Sequence, residues 1–267
     1  MKDNDTGLGA APGGVSRSSL EQRAKLVSPM GYWEVRLYPR AGEVTGVFRS
    51  AREPDPASVP ILPDRPAPMG HDGGRRAQGR MRRYAATNRL NRLGTLTYGG
   101  EGQHDPRAVR QDVGRFFRRL RGEVGGALPY LWVPEWHKSG HGLHVHFAVG
   151  RYIRRGWIED AWGHGFVHIK LLGDLPAGAS SLAEARRAAR YLAKYVGKDL
   201  GGSLGGLHRY EVAQGFQPVP VVLYAPTMAE AVAKAADQMG AAPARVWQSS
   251  DDPDWGRPPA VWAQWDD

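Results

Sequence analysis

The seven residues Leu143-His144-Val145-His146-Phe147-Ala148-Val149 constrain this chain more than any other stretch. Successive side chains of a β-strand point to opposite faces, so Leu143, Val145 and Phe147 pack on one side while His144 and His146 converge on the other. A fold that accepts this stretch must bury one face of a sheet and gather two imidazoles on its reverse. Leu128 to Trp136 reads as the partner strand, and Lys138 to Gly142 as the hairpin loop between them. That hairpin returns Glu135 to the imidazoles. Histidine is the commonest metal-ligating side chain, and a carboxylate beside two imidazoles completes a candidate ligand set. His137 and His141 compete with Glu135 for the third place, although a carboxylate suits a hard cation better. The plainer alternative for His144 and His146 is a pair of hydrogen-bonded histidines with no ligand.

Around this hairpin the sequence predicts an α+β organisation. Residues 1–30 are polar, rich in glycine and serine, and read as a disordered tail. Residues 31–50 read as a short hairpin, with strands from Tyr32 and from Glu43 and a turn at Pro39 to Gly42. Residues 51–83 hold a run of prolines followed by glycines and arginines, and are expected to form a loop or linker rather than helix or central strand. Leu93 to Tyr98 reads as an inner strand, with Thr95 and Thr97 on one face and Leu96 and Tyr98 on the other. Asp105-Pro106 is a helix start, and Val109, Val113, Phe116, Phe117 and Leu120 follow at helical spacing. A short helix over Arg154 to Trp162 and a strand over Phe166 to Leu171 come next. Ser181 to Asp199 is the clearest helix, with Leu182, Ala185, Ala189, Leu192 and Val196 as its buried stripe. A strand at Val219 to Tyr224 closes a domain expected to span 84–224. Residues 225–267 are expected to pack on that domain as a helix, capped by Thr227 and Glu230, and a Trp-rich extension.

Composition narrows the chemistry. With no cysteine among 267 residues, any metal must be held by oxygen and nitrogen, and thiol nucleophiles are excluded. A formal charge of +9, carried mostly by arginine, favours phosphate-bearing partners. The sequence has no continuous apolar run of about eighteen residues and no signal-like N-terminus, so the expected compartment is the cytoplasm and no membrane partner is expected.

The second half of the site lies in Tyr191-Leu192-Ala193-Lys194-Tyr195. Residues four apart on a helix are neighbours, so both phenols share one flank, beside Arg187, Lys194 and Lys198. A free phenol is a weak nucleophile, but a metal that polarises a phosphoryl oxygen and a cation that offsets charge make it competent. The ordered set Thr95-Leu96-Thr97-Tyr98, His144-Val145-His146 and Tyr191-x-x-Lys194-Tyr195 resembles the three motifs of rolling-circle replication initiators of the HUH endonuclease superfamily, in their two-tyrosine form. The resemblance covers roughly residues 90–200. It implies a central antiparallel sheet of about five strands flanked by helices, an RRM-like fold. It implies site-specific nicking and rejoining of single-stranded origin DNA, presented as a hairpin, through a 5′-phosphotyrosine. By the same resemblance His144, His146 and Glu135 hold Mg²⁺ or Mn²⁺, Tyr191 and Tyr195 are nucleophiles with Tyr191 ranked first, and Lys194 contacts phosphate or the leaving oxygen. Thr95, Thr97, Arg187 and Lys198 are assigned to DNA binding. A separate helicase and host replication proteins are the further partners, because the chain has no phosphate-binding glycine loop. A two-tyrosine transposase, a non-catalytic basic DNA-binding protein and a hydrolytic nuclease are the competing readings.

Overall fold

A computed structural model of the chain describes residues 31–50, 71–170, 178–197 and 208–266. Expectations for residues 1–30, for 51–70 and for Lys198 lie outside these. The fold is α+β, as expected, with two antiparallel five-stranded sheets and five α-helices among the described residues. The chain divides into two compact units, one carried by residues 60–220 and the other by the N-terminal strands with residues 221–264.

The smaller unit holds β1 (Tyr32–Tyr38), β2 (Glu43–Arg49), β8 (Val221–Ala225), α5 (Met228–Met239), β9 (Arg245–Gln248) and β10 (Ala260–Gln264). Its strand order is β8-β1-β2-β10-β9. The expected hairpin is therefore the middle of a second sheet, closed by segments from the far end of the chain. Val35, Leu37, Val44, Val261 and Ala263 are its buried alternating positions. The helix start read from Thr227 and Glu230 is present, with the Thr227 hydroxyl accepting from the Glu230 amide at 3.2 Å, and Gly240 ends α5 in the left-handed conformation. Trp247 and Trp262 sit directly opposite each other across β9 and β10. Much of the Trp-rich extension is thus strand.

The larger unit holds α1 (His71–Thr87), β3 (Arg92–Tyr98), α2 (Pro106–Val124), β4 (Tyr130–Trp136), β5 (Leu143–Val149), α3 (Arg155–Trp162), β6 (Gly165–Lys170), α4 (Ser181–Gly197) and β7 (Glu211–Val212). Its strand order is β6-β3-β5-β4-β7, with β5, the His-x-His strand, in the centre. Alternation sorts the side chains as the sequence predicts. Leu96, Tyr98, Leu143, Val145 and Phe147 join Phe116, Phe117 and Trp162 of α2 and α3 in one core on one face. Leu93, Leu131, Val133 and Ala148 join Ala77, Met81, Ala188, Ala189 and Leu192 of α1 and α4 in another on the reverse. Helix α2 starts where Asp105 accepts from the Arg107 amide at 2.9 Å with Pro106 in the first turn, and Gly125 ends it.

Helix α1 corrects the sequence reading. Residues 71–83, expected as part of a basic loop, are helical. Gly73, Gly74 and Gly79 weaken the intrinsic preference, but Ala77, Met81, Tyr84 and Ala85 form a buried stripe that packs on α4. Tertiary burial outweighs propensity here. The Gln78 amide further ties the two helices by donating to the Ala193 carbonyl at 3.0 Å.

Candidate active site

The site is built on the α1/α4 side of the larger sheet. Strand register places Glu135 directly opposite His144, and Thr95 directly opposite His146. The hairpin that achieves this closes with the His137 amide donating to the Gly142 carbonyl at 2.8 Å. Gly142 has φ +80°, and a Cβ there would lie 2.4 Å from the Gln103 carbonyl oxygen, so the turn requires glycine.

One carboxylate oxygen organises the cluster. Oε2 of Glu135 lies 3.0 Å from Nε2 of His144 and 2.8 Å from Nε2 of His146. The three side chains are nearly enclosed, at 12%, 15% and 7% exposure. Nδ1 of His146 is 3.0 Å from the Thr95 hydroxyl, which fixes the ring and reserves Nε2 for the cluster. The donor set fits a divalent cation: the nearest ligand atoms of Glu135, His144 and His146 lie within 4.8 Å of one another. Two nitrogens and a carboxylate on rigid strands also leave room for further oxygen ligands. His137 and His141 turn elsewhere. His137 bonds Ser139 at 2.6 Å and its own loop, and His141 Nε2 meets the Tyr98 carbonyl at 3.1 Å.

Helix α4 brings the phenols to this cluster. The Tyr195 ring stacks on the His146 imidazole with centroids 4.0 Å apart and planes 15° apart. Its hydroxyl donates to the Tyr191 oxygen at 2.7 Å. Burial pushes the Tyr195 phenol well above the ordinary tyrosine range, aided by the hydrogen bond to Tyr191 and by the negative field of Tyr191 and Glu135. Tyr195 is therefore a firm proton holder and donor, and the Tyr191 oxygen is the acceptor of the pair. Two ammonium groups lie against the Tyr191 ring: Lys170 Nζ at 4.7 Å from its centroid and Lys194 Nζ at 5.8 Å.

Of the residues singled out from sequence, the structure brings together Glu135, His144, His146, Thr95, Tyr191, Tyr195 and Lys194. Thr97 lies on the same face of β3, opposite Phe166 of β6. Arg187 is half-buried on α4, one turn before Tyr191. Lys170 is the residue that sequence reasoning missed. Alternation along β6 put it on one face with Phe166 and His168, but only the register with β3 shows that this is the face of the site.

Residues 91–200 match a family model of replication-associated proteins of the ORF2 type. That span runs from the start of β3 to the end of α4 and contains the cluster, both phenols and both lysines. The match supports a role as a replication initiator with DNA as partner. No curated protein and no solved structure matches the chain. Among the described residues, no helix is long and apolar enough to cross a membrane.

Proposed function

We propose that this chain starts rolling-circle replication by nicking single-stranded origin DNA and later rejoining it, with Tyr191 as the first nucleophile. The observation that carries this reading is the stacking of Tyr195 on His146, which seats the Tyr191–Tyr195 pair directly against the Glu135–His144–His146 cluster. A divalent ion, Mg²⁺ or Mn²⁺, held by those three residues supplies Lewis-acid polarisation of a phosphate oxygen.

The chain's own groups account for the rest of the reaction. The Tyr191 oxygen attacks phosphorus, the new O–P bond links the 5′ side of the break to the protein, and the P–O3′ bond breaks. The phenol proton is lost as the bond forms, and the departing O3′ takes up a proton to leave as a free 3′-hydroxyl. Tyr195 orients the attacking oxygen through its hydrogen bond, and its raised pKa keeps that bond in place at neutral pH. Lys170 and Lys194 offset the charge gathered at the phosphate. Thr95 holds His146 in one tautomer. Rejoining is the reverse attack by a 3′-hydroxyl on the phosphotyrosine. Tyr195 is placed to accept a second strand when that site is regenerated. Unwinding and synthesis fall to a separate helicase and host replication proteins.

The test is to incubate the protein with Mn²⁺ and single-stranded oligonucleotides that tile the DNA around its gene. A denaturation-resistant adduct is expected, lost in the Tyr191→Phe, Tyr195→Phe double variant. An adduct yield unchanged in that variant contradicts the reading, and cleavage that leaves a free 5′-phosphate identifies a hydrolytic nuclease instead.

A further inference from the structure

Phe166 is 72% exposed, on a strand whose next residue, Val167, is 6% exposed and packs into the core. A single exposed apolar side chain is ordinary on a protein surface, so exposure alone decides nothing. Its position does. Strand β6 is an edge of the larger sheet, and its register with β3 sets Phe166 opposite Thr97 and His168 opposite Thr95. Thr95 is the residue that bonds His146. Phe166 and His168 thus stand on the site face, two strands from the His-x-His strand, or about 10 Å. The two intervening threonines are short and leave a low floor between the aromatic edge and the cluster. Lys170, next on the same face, reaches the Tyr191 ring.

We propose that Phe166 and His168 form a base-stacking platform, which holds a nucleobase of the DNA strand flanking the reactive phosphate while the backbone crosses Thr97 and Thr95 toward the cluster. The proposal deepens, and rests on, the reading of this face as a DNA-nicking centre. The chemistry of the surface selects the ligand. A flat aromatic ring and an imidazole offer π-faces to any base, and the neighbouring ammonium offers charge to its phosphate. A base can meet such a platform only when it is unstacked from its neighbours, so the platform favours a single strand over a duplex.

The experiment uses the full chain with Tyr191→Phe and Tyr195→Phe, so that binding is read without cleavage. Oligodeoxythymidine carrying one 5-iododeoxyuridine is irradiated with this protein, and the crosslinked peptide is mapped by mass spectrometry. Attachment within β6, at Phe166 or His168, is expected. In fluorescence anisotropy with labelled oligodeoxythymidine, Phe166→Ala is expected to weaken binding by about tenfold, the loss of one stacked base, while Phe166→Trp retains it. Crosslinks confined to other segments, together with wild-type affinity in Phe166→Ala, overturn the platform. Failure here with adducts still formed by the unmodified protein removes the platform alone. Crosslinking at β6 without adduct formation keeps the platform and removes the nicking reaction.

Discussion

The two faces of the larger sheet are packed from different materials. On one, Phe116, Phe117, Trp132, Phe147 and Trp162 are all buried, and Phe117 stacks on Tyr130 with centroids 3.6 Å apart. On the other, Ala77, Ala85, Ala148, Ala188 and Ala189 do much of the contact between α1, α4 and the strands. Large aromatic rings fill space and carry stability, each fully buried large apolar side chain contributing about 1.5–3 kcal/mol. Alanine gives less burial energy but lets a helix lie close to a sheet. That closeness is what allows phenols on α4 to touch imidazoles on β5. One face holds the fold together, and the other holds chemistry at a set distance.

Substitutions on the two faces should separate these roles. Phe116→Ala is expected to cost about 3–5 kcal/mol in urea denaturation, because it opens a cavity among rings that cannot all close in. Adduct yield per folded molecule should stay unchanged, and a specific loss of activity there would break the division between faces. Thr95→Val keeps the shape but removes the partner of His146 Nδ1, and should lower Mn²⁺ affinity by about 10–100-fold in calorimetry with little change in melting. Ala189→Leu should cost about 1–3 kcal/mol by overpacking. If closeness is the purpose of the alanines, its adduct yield falls while Mn²⁺ affinity holds.

The smallest effect concerns the aromatic face at high pH. Tyr98 is held above the ordinary tyrosine range by burial and by its 2.9 Å hydrogen bond to the buried Asp112. Its proton is bound more tightly in the folded than in the unfolded chain. The associated stability is complete below about pH 10, the unfolded value, and is lost as pH rises from there toward the folded value. Tyr98→Phe should flatten this alkaline decline in denaturation series at stepped pH.

Much of this was legible in the order of residues. Alternation in β3 and β5 assigned every side chain to its face, and the caps at Asp105 and Thr227 placed the starts of α2 and α5. The cluster was legible because its ligands come from one hairpin, where local sequence sets the register. Helix α1 was not, since the glycines and arginines around Met81 and Tyr84 obscured a stripe that only its packing on α4 reveals. The second sheet was hidden for a related reason: β1 pairs with β8 from the far end of the chain, and no local signal encodes such a pairing. Lys170, Phe166 and His168 depended on the register of β6 against β3, where a slip of one residue would turn all three away from the site.

The claim at the centre is that the alanine-packed face seats Tyr191 at the metal cluster as the attacking group, with Tyr195 as its proton-holding partner. Peptide mapping of the DNA adduct formed with Mn²⁺ tests it most directly. The account predicts a phosphotyrosyl linkage on Tyr191. A linkage found only on Tyr195, or on a residue outside α4, would contradict it.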